Sequence, residues 1–255
     1  MIINPLNTEH TWGSKEIDQL MNELMHSLDT YGSIQEGTRQ NGEEILCENI
    51  GVPTLNNVQF SLNLTTANLM YLEEEIAKKD GMKGLRFLRQ EAKEWVAKNF
   101  LNPGKAWEEY PERWKNSLNI VGKMDYTYHE RLNAGNRLNK MIELLIDYPA
   151  TRQAYIDLRN QDDSRYPESG RRIPCINGYQ LNRDGKYINM TVMARSIDVN
   201  NCLLNDIWLA HALLKHIVNS INHMVHYAEK DKVDLGKITF FVSNLHAYPN
   251  IKEMI

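Results

Sequence analysis

The chain has 255 residues, 42% of them apolar, and a formal charge of -4. That is enough apolar material for one substantial core, and it excludes the concentrated basic face that duplex or single-stranded nucleic acid requires. No window reaches the roughly 18 apolar residues of a membrane span, and the N-terminus has no basic segment followed by an apolar core, so a soluble cytoplasmic protein is expected.

In chain order, residues 9–30 predict a first helix. Thr8 or Thr11 is placed to cap it, and Ile17, Leu20, Met21, Leu24 and Leu28 form its stripe. Residues 31–44 are polar and glycine-rich, as a loop is. Ile45 to Leu64 carries short, broken strand patterns, with Val58, Phe60, Leu62 and Leu64 at period two. A second helix is expected over 66–79 and a third over 85–98, separated by Gly81 and Gly84. The stretch 100–125 holds Trp107 and Trp114 but no stable period. It reads as part of an excursion or lid at about 77–125 within a single domain spanning 1–255.

A fourth helix is expected over 134–147, stopping before Pro149. Ala154–Leu158 reads as a strand and 159–171 as a charged loop. Two strands follow, joined by a turn at Arg183–Lys186. The strongest helix signal covers 207–228, and a late strand, Ile238–Val242, leads into Asn244–Tyr248. Helices alternating with antiparallel strands indicate an α+β fold. A single sheet with helices on one face must cover the other, and a second copy of the chain is one solution.

The cysteines Cys47, Cys175 and Cys202 lie far apart, without the spacing of a disulfide framework or a zinc site, so no metal is expected. Cys175 follows Arg171-Arg172-Ile173-Pro174 and precedes Arg195-Ser196-Ile197-Asp198. A cysteine beside guanidinium groups is a candidate nucleophile, because their field lowers the thiol pKa.

From about residue 126 to 248 the chain resembles the thymidylate synthase superfamily, and most of all the phage-type deoxycytidylate hydroxymethylases. The resemblance rests on the order and spacing of the Cys175 context, Gln180, Arg195-Ser196-x-Asp198, Asn205-Asp206 and Leu245-His246-x-Tyr248. It implies a mixed sheet packed back to back in a homodimer, with arginines shared across the interface. It also implies 5,10-methylenetetrahydrofolate as one-carbon donor and a pyrimidine nucleoside monophosphate as substrate. A phage-encoded member would act in the cytoplasm of a bacterial host.

Residue by residue, the resemblance makes Cys175 the nucleophile that adds to C6 of the pyrimidine. Arg195 and Ser196, with Arg171 and Arg172 nearby, bind phosphate. Arg152 is the first of two arginines lent to the partner subunit; the second position is Gln153. Arg39 matches an N-terminal phosphate loop. His246 and Tyr248 hold the sugar 3'-hydroxyl, Tyr126 and Gln180 lie near the nucleotide, and Asp198 lines the folate pocket. Among Glu73, Glu74 and Glu75 at most one enters the site, and alignment through Phe60 selects Glu73 as general acid/base. Ile176 stands where uracil-methylating members commonly have histidine.

Asp206 falls where the superfamily reads the base with asparagine. A carboxylate accepts from the cytosine amine and, with a proton, donates at N3; uracil would set two acceptors face to face. The expected activity is therefore hydroxymethylation of dCMP at C5. Methylation of dCMP, action on dUMP or CMP, and a non-catalytic nucleotide- or RNA-binding relative are the alternatives. A helix-capping role at Ile207 is the competing reading of Asp206. The short segment after Tyr248 is expected to leave the site open to water, which favours hydroxymethyl over methyl as product.

Overall fold

The computed structural model describes residues 15–36, 51–99, 101–114, 118–165, 172–225 and 232–248. The expected caps Thr8 and Thr11, and the sites assigned to Arg39 and Arg171, lie outside these residues.

Helix α1 (Lys15–Tyr31) buries Ile17, Leu20, Leu24 and Leu28, the stripe expected from their spacing. Gly32 stops it, its N–H reaching Leu28 O at 3.0 Å. Strand β1 (Ser33–Glu36) follows. The broken pattern of Ile45–Leu64 is, in its described part, one twelve-residue strand, β2 (Gly51–Leu62). Asn57 sits at its middle with φ 56, a left-handed conformation that asparagine tolerates. Pairing runs past that point, from Thr54↔His246 to Leu62↔Ile238, so the interrupted alternation marks a distortion within one strand.

The two expected helices are joined end to end as α2 (Thr66–Trp95), turning about Gly81 at φ 70 and ψ -177. Thr65 caps it by accepting from Asn68 N. Of the expected excursion at about 77–125, residues 77–95 belong to α2 itself; the described remainder holds two single turns, α3 (Ala106–Glu109) and α4 (Pro111–Trp114), folded back onto α2. The buried Glu94 carboxylate accepts from Lys105 N at 2.7 Å and Ala106 N at 3.0 Å. Asn102 exchanges two hydrogen bonds with the Met124 backbone, and Trp114 stacks on Phe87 at 5.2 Å.

Helix α5 (Tyr128–Asn133) opens on a capping box formed by Thr127 and Glu130. Helix α6 (Arg137–Asp147) starts later than expected, after left-handed Gly135 and Asn136. Strands β3 (Tyr155–Asp157), β4 (Ile176–Asp184), β5 (Tyr187–Ala194) and β6 (Ile197–Asp198), helix α7 (Leu203–Met224) and strand β7 (Asp234–His246) complete the chain.

One mixed sheet of seven strands has the order β1-β2-β7-β5-β4-β3, with β6 also on β7. Neighbours are antiparallel except β5 and β6, which run parallel to β7. Phe60 and Phe240 are register partners and stack at 5.0 Å. On the face that carries them, Val58, Leu62, Val192, Ile238 and Val242 are buried in the core with α1, α2, α6 and α7. The opposite parity leaves Tyr155, Met193 and Phe241 exposed. Behind the sheet, Arg131 and Asp163 form a buried two-pronged ion pair at 2.8 and 3.2 Å. No described helix is long and apolar enough to cross a membrane.

Candidate active site

Antiparallel pairing of β4 with β5 matches Ile176 to Ala194, which brings Cys175, just before β4, beside Arg195, just after β5. Arg195 N donates to Cys175 O at 2.8 Å. The guanidinium holds the same segment: Nε donates to Pro174 O at 3.0 Å, and Nη2 lies 3.2 Å from Ile173 O and 3.7 Å from Cys175 Sγ. Sequence reasoning expected the guanidinium groups to lower the thiol pKa. Arg195 and Arg172 do pull it down, but burial outweighs them, and Asp206 and Asp198 add to the upward push. In the resting chain the thiol is therefore held above its ordinary value.

Ser196 follows Arg195 at the junction of β5 and β6. Its Oγ lies 3.3 Å from His246 Nδ1, and that nitrogen is 3.0 Å from Asn244 Oδ1. The Tyr248 ring meets His246 edge-on at 5.0 Å. Burial holds the His246 imidazole below its ordinary value, although Asp198 pulls the other way.

Asp198 organises the turn before α7. Its Oδ1 accepts from Asn200 N at 3.0 Å, Asn201 N at 3.3 Å and Tyr248 N at 3.4 Å, while Oδ2 accepts from Asn201 Nδ2 at 2.6 Å. Helix α7 then begins at Leu203, with Cys202 at its N-cap position. Asp206 is inside the first turn, its own N–H bonded to Cys202 O at 2.9 Å. It does not cap the helix, and no hydrogen bond to its carboxylate is found among the described residues. Burial pushes that carboxyl up to about 7, with Arg113 opposing and Asp198 reinforcing.

The three glutamates separate clearly. Glu73 joins α2 to α7: Oε1 accepts from Trp208 Nε1 at 3.1 Å and Oε2 from Arg89 Nη2 at 2.9 Å. Glu74 is exposed, and Glu75 pairs with Lys78 at 2.5 Å. Glu73 thus bonds two residues beyond Asp206.

Tyr126 lies edge-on to Tyr128 at 5.7 Å, and burial together with Cys175 pushes its phenol upward. Arg172 N donates to Asp125 Oδ2 at 2.9 Å. Gln180 takes the parity opposite to buried Tyr179 and Leu181. Its amide reaches the carbonyls of Arg152, Ala154 and Leu181 at 3.2 to 3.3 Å, on the open face and turned from the core side. Arg152 is exposed beside β3. The fold thus gathers Cys175, Arg172, Arg195, Asp198 and Asp206, with Tyr126 and the Ser196–His246–Tyr248 group adjoining, and sets Gln180 and Arg152 apart.

Three residues escaped the sequence reading. Tyr128 Oη accepts from Ile176 N, the amide following Cys175, at 3.3 Å. The Tyr179 hydroxyl is buried without a hydrogen-bond partner among the described residues, and burial with Asp206 raises its phenol pKa. Arg113 reaches the start of α7 from the excursion. The alternation Tyr126-x-Tyr128 was a usable signal for the first; nothing local marked Arg113. Among the described residues no group of three His, Cys, Asp or Glu side chains is placed to hold a metal ion.

No family model and no curated protein matches this sequence. Solved structures do match its fold. Thermostable thymidylate synthase A from Bacillus subtilis superposes with a TM-score of 0.63 at 16% identity, over 91% of this chain and 79% of that one. Thymidylate synthase from T4 phage gives 0.55 at 18% identity, over 92% of this chain and 78% of that one. The chain has a thymidylate synthase-like α+β fold.

Proposed function

We propose that the chain transfers a one-carbon unit from 5,10-methylenetetrahydrofolate to C5 of dCMP, giving 5-hydroxymethyl-dCMP. The observation that carries this reading is the half-buried Asp206 carboxyl, pushed up to about 7 and without a protein hydrogen bond among the described residues, in the same electrostatic cluster as the Cys175–Arg195 pair. Cys175 Sγ adds to C6 after loss of its proton, which breaks the 5,6 double bond and makes C5 a carbon nucleophile. Asp206, poised near neutral pH, shares a proton with N3 and accepts from the N4 amine. Uracil carries N3–H where cytosine has an acceptor for that proton, so the ionised carboxylate meets O4 with two acceptors face to face, a mismatch of about 1–3 kcal/mol.

Arg195 takes the 5'-phosphate, and Ser196, His246 and Tyr248 form the polar edge for the sugar. Glu73, held on α2 by Trp208 and Arg89, orders water for the proton transfers. Asp198 Oδ2 accepts a single hydrogen bond among the described residues and so retains capacity for an N–H donor of the pterin. The folate, when bound, supplies carbon at the oxidation level of formaldehyde. A homodimer through the open sheet face would cover Met193 and Phe241 and carry exposed Arg152 toward the partner's phosphate site. The reaction would draw on cytoplasmic nucleotide and folate pools.

A second reading, methylation of dUMP, draws support from the fold match to two thymidylate synthases. Incubation with methylenetetrahydrofolate and each of dCMP, CMP and dUMP separates the two by product mass. Gain of CH2O on dCMP is the expected result. Gain of CH2 on dUMP, with dihydrofolate appearing, would replace the cytosine reading with the second one.

A further inference from the structure

We infer that Arg113, with Lys79, is a positioning residue that fixes the first turn of α7 and thereby the aim of Asp206 at the base. The inference rests on the reading of Asp206 given above and adds a part of the molecule that the reaction itself does not touch.

The turn 198–202 is held on both of its polar sides. Asp198 takes the N–H groups of Asn200 and Asn201. Their carbonyls are taken by two cations from outside the turn: Lys79 Nζ donates to Asn200 O, and Arg113 Nη2 donates to Asn201 O. Lys79 comes from α2 and Arg113 from α4, so the excursion is bonded directly to the turn that launches α7. Arg113 is anchored in its turn. Nη1 lies 2.9 Å from the buried Asp80 Oδ2, and the Asn205 amide, with its oxygen toward the guanidinium, accepts from both terminal nitrogens at 3.2 and 3.3 Å. The planar fork therefore bonds Asp80, Asn201 and Asn205 together, which an ammonium cannot do from one position. Asn205 immediately precedes Asp206. Losing the fork frees both the turn and the residue next to the base-reading carboxyl.

Arg113 also stands on the electrostatic side of the argument. The charged and titratable groups facing Asp206 are Arg113, Asp198, Cys175, Cys202, Tyr128 and Tyr179. Arg113 acts on the Asp206 carboxyl and favours the ionised form. Its removal moves the Asp206 titration upward.

The test compares full-length wild type with Arg113→Met, Arg113→Lys and Lys79→Met. The Asp206 titration is followed in the substrate-free protein by carboxyl-carbon NMR, assigned with Asp206→Asn. Arg113→Met should raise its midpoint by about one pH unit or more, the scale of a lost neighbouring guanidinium. It should also weaken dCMP mainly through KM and erode the preference over dUMP. Arg113→Lys should restore the midpoint but not the preference, since it keeps the charge and loses the fork. Lys79→Met, which keeps Arg113, should raise KM for dCMP and leave the midpoint near wild type. An unchanged midpoint together with unchanged dCMP KM in a folded Arg113→Met protein overturns the inference. If that variant does not fold, unaltered base preference in both Arg113→Lys and Lys79→Met overturns it instead. Absence of turnover in wild type sinks the proposed reaction, while the NMR midpoint still decides the role of Arg113.

Discussion

Replacing Asp206 with asparagine keeps the shape of the side chain and removes its ionisation, so it isolates what burying this carboxyl does. Its value rises from the ordinary 3.8 to about 7 in the folded chain, chiefly through burial. The folded state therefore holds the proton more tightly than the unfolded state. Stability is complete below the unfolded value and falls as pH climbs through the folded one. At 1.36 kcal/mol per pH unit, the full difference comes to about 4 kcal/mol. Urea unfolding of wild type and Asp206→Asn should thus give similar stabilities at about pH 4 and diverge toward about pH 8, with the variant the more stable there. A gap that stays constant across this range refutes the burial account of Asp206.

The same variant has two functional readouts. Base preference should move toward dUMP by about tenfold or more, because asparagine can present a donor and an acceptor to the uracil edge. Alkylation of Cys175 near neutral pH should accelerate, since the Asp206 charge is one of the influences holding the thiol up. A stability gap without any change in base preference would leave Asp206 buried but not base-reading.

Cys175→Ser should abolish turnover and tritium release from C5 of dCMP while leaving nucleotide binding measurable by calorimetry; mixing it with an inactive Arg152→Ala protein should restore activity if arginines are exchanged between subunits. Arg131→Met leaves the buried Asp163 carboxylate without its two-pronged partner and should lower unfolding stability by about 3–5 kcal/mol, much of which Arg131→Met/Asp163→Leu should recover. Gly178→Ala sets a methyl group 2.5 Å from Ile156 O and 2.3 Å from Tyr155 Oη, so hydrogen exchange in β3 should rise sharply relative to β5.

The elements with a clean period were legible in the sequence. The α1 stripe and the β4–β5 hairpin stand close to where their apolar spacing put them, because one buried face dictates each. Boundaries failed where a backbone device was needed. Asn57 and Gly81 each let an element continue past a point that reads as a stop. The α5 helix was missed although Thr127-x-x-Glu130 is a capping-box signature, since six residues are too few to show a period. Among site residues, the contact of Cys175 with Arg195 follows from hairpin register, which sequence order alone suggests. The reach of Arg113 into the start of α7 depends on how the excursion folds back, and no local pattern encodes that. The sign of the Cys175 shift was also illegible, because arginine neighbours can be counted in a sequence and burial cannot.

Burial and charge meet in one place here. The thiol is raised by desolvation and by two carboxylates, and lowered by two guanidinium groups. Of those influences, the charge on Asp206 is set by a group poised near neutral pH. When Asp206 carries a proton, one upward pressure on Cys175 disappears and the Arg195–Arg172 field faces less opposition. On the proposed reaction, a proton shared between Asp206 and cytosine N3 has the same effect. Reading the base and readying the nucleophile then become one electrostatic event, and a base that cannot share that proton leaves the thiol unreadied. This coupling gives the buried carboxyl a use that offsets its cost to stability at neutral pH.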